Sequence, residues 1–124
     1  MELLIKALIG LIAIIHCYIL WFEMFAWDTK GRKVFRKFPA DLFSKTKVMA
    51  ANQGLYNGFL AAGLIWTLFI DNQEWFANIS LFFLSCIAIA GIFGTFTAAK
   101  QIFFVQALPA IIAISMIIVN GLTS

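Results

Sequence analysis

The sequence predicts an all-α integral membrane protein built as a four-helix bundle. Hydrophobic residues make up 63% of the 124 positions and charged residues only 12%, about half the usual soluble share of roughly 25%. A soluble domain this small buries only about 60–70% of its unfolded surface. That is too little to hide so much apolar area, and mean hydropathy is +0.96. The apolar residues also fall into four continuous runs, each near the ~20 residues that cross a bilayer as a helix. The runs do not alternate and are about twice the length of a barrel strand. Every backbone group in lipid must be bonded internally, which a helix does alone. Four spans leave no room for a separate soluble domain.

Span one covers about residues 3–27. It is expected to be retained rather than cleaved. Glu2 offsets Lys6, the run is too long for a signal-peptide core, and Ile15-His16 before Cys17 is not a lipoprotein cleavage pattern. A turn follows at Asp28-Thr29-Lys30-Gly31. Span two covers about 47–70, with Pro39 suited to a first helical position and residues 40–46 a possible lead-in. Span three covers about 75–99, after the acidic connection Asp71-Asn72-Gln73-Glu74. Lys100-Gln101 marks the last turn, and span four covers about 102–121.

Seven of the nine basic residues lie in one stretch from the end of span one to the start of span two: Lys30, Arg32, Lys33, Arg36, Lys37, Lys45 and Lys47. A cluster so placed is expected to face anionic membrane lipid, not nucleic acid. Loop three adds Lys100, and loop two has no Lys or Arg. The positive-inside rule then puts loops one and three in the cytoplasm and both termini outside. Trp66 and Trp75 fall near the outer interface and Trp27 near the inner one. Within loop one, Phe35, Phe38, Leu42 and Phe43 interleave with cations around Pro39. The favoured expectation is a segment resting on the inner leaflet with its rings toward lipid. The alternative is a lid over a cytoplasmic cavity. Cys17 and Cys86 sit in apolar runs and are expected to be inert buried thiols. They form neither a disulfide framework nor a metal site. One histidine without a Cys-x-x-Cys-His motif argues against haem, and no cofactor is expected.

The polar residues inside the spans are the functional signal, because a charged group at the centre of a spanning helix costs at least ~2.5–3.5 kcal/mol. Span one holds His16 and Glu23, seven residues apart and about 20° off one face. His16 brings a charge that switches near neutral pH. Span two opens with Asn52, Gln53, Tyr56 and Asn57. Asn52 stacks with Tyr56 and Gln53 with Asn57, each pair i,i+4. Gly54 and Gly58 form a small-residue motif that admits a neighbouring helix closely. Ala90, Gly94 and Ala98, with Gly91, Thr95 and Thr97 alongside, give span three a second such face. Span four has Gln106 and then Pro109, which frees a carbonyl near Val105 and bends the helix. By depth, Glu23, Asn52, Gln53, Thr95 and Gln106 converge in the inner half of the bilayer, with His16 and Asn57 near its middle. The candidate ligand-binding residues are therefore His16, Glu23, Asn52, Gln53, Tyr56, Asn57 and Gln106. Interhelical packing glue is the competing role for the amides and Tyr56.

The run Ala50-Ala51-Asn52-Gln53-Gly54-Leu55-Tyr56-Asn57-Gly58-Phe59-Leu60-Ala61 resembles the signature of a family of small bacterial four-span proteins filed as domain of unknown function 1304. Other similar pieces are His16, Glu23-Met24-Phe25 with Trp27, Gly31-Arg32-Lys33-Val34-Phe35, and Phe103-Phe104-Val105-Gln106-Ala107-Leu108-Pro109-Ala110. The resemblance covers nearly the whole chain. It implies a four-helix membrane protein and supplies no activity and no functional residue.

Three functions remain open on the residues. The first is binding or transport of a small amphipathic or lipophilic ligand in a polar inner-leaflet cavity, with Glu23 and His16 as its ionisable groups. The second is an intramembrane enzyme of isomerase or quinone-linked type, with Glu23 and His16 as an acid–base pair. No Ser-His-Asp pattern, phosphate loop or His-Glu-x-x-His motif is present to suggest other chemistry. The third is a structural subunit or homo-oligomer using the two small-residue faces.

Overall fold

The structure is a computed structural model that describes residues 1–123, with side-chain environments through Gly121. It is helical, with no strand among the described residues. The first long helix, α1, is Glu2–Phe25. Two short helices follow, α2 (Lys30–Val34) and α3 (Ala40–Lys45). The remaining long helices are α4 (Lys47–Thr67), α5 (Gln73–Thr97) and α6 (Leu108–Thr123). A π-helical turn over Phe103–Ala107 leads into α6.

By length and composition, three helices are able to cross a membrane: Glu2–Phe25, Gln73–Thr97 and Phe103–Gly121. The expected second span is helical over Lys47–Thr67 but less apolar than the others. Lys47, Asn52, Gln53 and Asn57 are the reason.

The chain's local chemistry sets the breaks. The Asn72 side chain accepts a hydrogen bond from the Trp75 backbone N–H at 2.9 Å, capping α5. Pro39 is the residue before α3 rather than its first turn. Asp41 and Lys45 then stand at the acidic-start and basic-end positions that suit the helix dipole, and pair at 3.0 Å. A single residue, Thr46, separates α3 from α4. Pro109 has no N–H, and the helix widens immediately before it: the Leu108 N–H donates to the Phe103 carbonyl, five residues back.

α1 packs most extensively on α4 and also on α6, while α5 packs on α4, on α6 and on the π turn. The core between them joins Ile5, Ile9 and Ile12 of α1, Leu64 of α4, Leu84 and Ile87 of α5, and Ala110 and Ala113 of α6. The close-packing face of α5 runs through Leu84, Ile87, Ala88 and Gly91. The expected stripe is displaced from it: Ala90 and Ala98 are exposed, and the atoms nearest Gly94 belong to Ile102. A Cβ on Gly91 would lie 2.6 Å from the Ala107 backbone nitrogen, so α5 and the π turn touch backbone to backbone.

Loop one folds inward over one end of the helices. Phe35 stacks on Phe38 at 5.5 Å and meets Phe22 at 6.2 Å and Trp27 at 5.7 Å. Phe43 is 1% exposed, with Trp27 5.2 Å away. These rings pack on one another and on Phe22 and Trp27. Arg32 fastens the same segment. Its Nε and Nη2 donate to the backbone O and Oδ1 of Asp28 at 2.8 and 2.7 Å, and its Nη1 donates to the Ala40 carbonyl at 2.7 Å. Nη2 also donates to Ser44 Oγ at 3.2 Å. One guanidinium thus ties α2 to α3. Cys17 is exposed and Cys86 half-buried, and both are free thiols. The expectation of two buried thiols is corrected for Cys17, which lies on the outward side of α1.

A carboxylate clamped by two amides beside an apolar cavity

Glu23 lies on the last turns of α1 and is 7% exposed. Two glycines of α4 bring the helices together there. A Cβ on Gly54 would come within 2.8 Å of Met24 Cγ and 3.0 Å of the Leu20 carbonyl oxygen. A Cβ on Gly58 would come within 2.4 Å of Leu20 Cδ1. At Gly54 the Leu20 backbone carbonyl is among the obstructing atoms, whereas at Gly58 the obstacle is the movable end of the Leu20 side chain. Gln53 Nε2 donates to Glu23 Oε2 and Asn57 Nδ2 to Glu23 Oε1, both at 2.7 Å. Asn57 Nδ2 also donates to the Gln53 backbone carbonyl at 3.0 Å. Each carboxylate oxygen keeps further lone-pair capacity for another donor.

The free side of this clamp faces a cavity of about 400 Å³, within the usual range for small-molecule sites of roughly 300–1,000 Å³. Glu23, Gln53, Gln101, Gln106 and Tyr18 bring polar groups to its lining. The rings of Phe22, Trp27, Phe35 and Phe38 and the aliphatic Ile19, Ile102 and Val105 supply most of the rest. A few convergent polar groups in an apolar wall are the usual pattern of a ligand pocket. Asn57 is buried behind the carboxylate and holds it without lining the space.

The structure thus brings together four of the expected residues: Glu23, Gln53, Asn57 and Gln106. Three others stand apart. Asn52 and Tyr56 are exposed, Tyr56 by 60%, and Tyr56 meets the Phe59 ring at 6.1 Å. The reason is helix phase: each residue turns the direction by about 100°, so seating Gln53 and Asn57 on α1 swings their predecessors away. His16 is fully buried in the core, outside the cavity, and its Nδ1 donates to the Ile12 carbonyl at 2.9 Å. Nε2 has no partner among the described residues. His16 and Glu23 therefore do not form a pair. Their shared face is separated by two turns, about 10 Å of rise. Thr95 lies beyond the cavity and donates to the Gly91 carbonyl at 2.7 Å.

Sequence reasoning missed the aromatic wall as part of the site. Phe35 and Phe38 were visible as loop rings and Trp27 as an interface residue, but nothing in their spacing ties them to Glu23. Gln101 and Ile102 were visible only as a turn.

Residues 10–118 match the family described as Protein of unknown function (DUF1304). The chain belongs to this family. It is also similar to an uncharacterized protein, YpaA, of Lactococcus lactis subsp. lactis (strain IL1403). The two are 31% identical over 116 residues, which cover 92% of this chain and 96% of that relative. No solved structure matches the chain at a significant level.

Proposed function

We propose that this family member is a four-span protein of a bacterial plasma membrane that binds, and in doing so carries, a small amphipathic molecule. In this reading α4 crosses the membrane beside α1, loops one and three face the cytoplasm, and both termini face outward. Support for the fourth crossing comes from the clamp: the Gln53 and Asn57 amides of α4 are bonded to Glu23 of α1, while Asn52 and Tyr56 stay exposed. The cationic loop supports the orientation. The observation that carries the function is the buried Glu23 carboxylate, held from behind by Gln53 and Asn57 while opening onto an apolar cavity. A carboxylate used only as packing glue has no need of such a space. The enzyme reading loses its acid–base pair, because His16 bonds to its own helix and Glu23 to α4.

Native mass spectrometry after gentle extraction with membrane lipid tests the proposal, wild type beside Glu23→Gln. The wild type is expected to retain a specific small molecule that the variant loses, with helicity equal in both by circular dichroism. The same bulk lipid alone on both proteins would overturn it.

A further inference from the structure

A second, larger space of about 760 Å³ opens beside the cavity, between loop one and the α5–α6 connection. The two spaces share Phe35 and Phe38 as a common wall. Lys33, Arg36, Lys37 and Lys100 line the larger one, and no carboxylate does. The nearby acids are already engaged: Asp28 by Arg32 at 2.7 Å and Asp41 by Lys45 at 3.0 Å. Among the described residues, the four lining cations make no ion pair, and Arg36 Nε donates only to the Lys33 carbonyl, at 3.0 Å. Four positive charges from two separate loops thus stand around one opening with no counter-charge, next to an apolar chamber.

We infer that the ligand is an anionic amphiphile: its phosphate-like headgroup occupies the Lys33–Arg36–Lys37–Lys100 vestibule and its apolar body the adjoining cavity. This rests on the cavity reading above. Unpaired cations around a concave opening focus positive potential and favour a multiply charged anion, and Arg and Lys are the residues that take phosphate oxygens. The wall of stacked rings then selects for an apolar continuation.

The full chain in neutral detergent is titrated with lysophosphatidic acid, with the uncharged monoacylglycerol of the same chain, and with glycerol phosphate. Lysophosphatidic acid is expected to bind at least tenfold tighter than either. Two charge-matched variants locate the effect: Lys33→Gln/Lys37→Gln/Lys100→Gln is expected to lose the preference, and Lys30→Gln/Lys45→Gln/Lys47→Gln to keep it. Equal loss in both variants would reduce the effect to general surface charge and overturn the inference. Equal binding of lysophosphatidic acid and monoacylglycerol would also overturn it, while leaving the cavity reading standing. Glycerol phosphate binding as tightly as the lipid would mean a free-phosphate site and overturn the amphiphile. If neither lipid binds, the cavity reading fails and the inference falls with it.

Discussion

Asn57 donates a 2.7 Å hydrogen bond to Glu23 across the α1–α4 contact, and both side chains are buried. The bond joins residues 34 positions apart, so it depends wholly on how the two helices pack. An amide removed from one side leaves a buried carboxylate oxygen without its donor. Asn57→Ala is therefore expected to destabilise the protein by about 1–3 kcal/mol, read as equilibrium unfolding in mixed detergent. Gln53→Ala is expected to cost less, because Gln53 is exposed whereas Asn57 is buried. In a Glu23→Ala background the Asn57 effect shrinks; an unchanged cost there would show that the hydrogen bond is not its source.

The contact between Gly91 and Ala107 has no room for a methyl group, and the obstructing atom is backbone. Gly91→Ala is expected to cost about 1–3 kcal/mol through forced separation of α5 from the π turn. Gly10, by contrast, has nothing within 4 Å of a built Cβ, so Gly10→Ala leaves stability equal or raises it by up to about 1 kcal/mol. Thermal unfolding of the two variants side by side checks both; equal effects would contradict the packing described.

Orientation is readable by chemistry at single cysteines. In a Cys17→Ser/Cys86→Ser background, Asp71→Cys is expected to react with a membrane-impermeant maleimide on intact cells. Lys37→Cys is expected to react only after permeabilisation. Labelling of both from the same side would show that α4 does not cross the membrane.

The clasp at loop one has a definite acid limit. The hydrogen bonds from Arg32 hold the Asp28 carboxyl below its ordinary range, against a smaller opposing effect of desolvation. A group whose folded pKa is lowered contributes its stability above the unfolded value, about 3.9 for Asp. That contribution disappears as pH falls through the folded value. Amide exchange across residues 28–46 is thus expected to be insensitive to Asp28 between about pH 5 and 8 and to accelerate only in stronger acid. Asp28→Asn removes that acid step. Opening already near pH 6 would refute the assignment.

The long helices were legible in the sequence because apolar runs of this length have few other solutions. Glu23, Gln53 and Asn57 were legible as polar positions in an apolar stretch, and Gly54 with Gly58 as the close approach that joins them. What the sequence did not distinguish was phase. Asn52–Tyr56 and Gln53–Asn57 are equally good i,i+4 pairs, and only the seating of α4 on α1 decides between them. The shared face of His16 and Glu23 misled for a related reason: periodicity reports direction around the axis, not separation along it. Loop one was obscure because Arg32 closes it over four to twelve residues through two backbone carbonyls and the Ser44 hydroxyl, and carbonyls leave no mark in residue types. Pro109 announced a disturbed helix, though not that the disturbance would be a π turn.

Phe43 is among the most completely buried side chains of the protein, yet its neighbours are Trp27, Gly31, Arg32 and Phe38 rather than the core between the long helices. The cap over the helix ends therefore has its own centre of packing. Such a centre gives the cap its own free energy of opening, distinct from global unfolding. The cap is then expected to open at lower cost than the long helices separate, and Trp27, bonded to Thr46 at 3.0 Å, ties the start of the cap to its end.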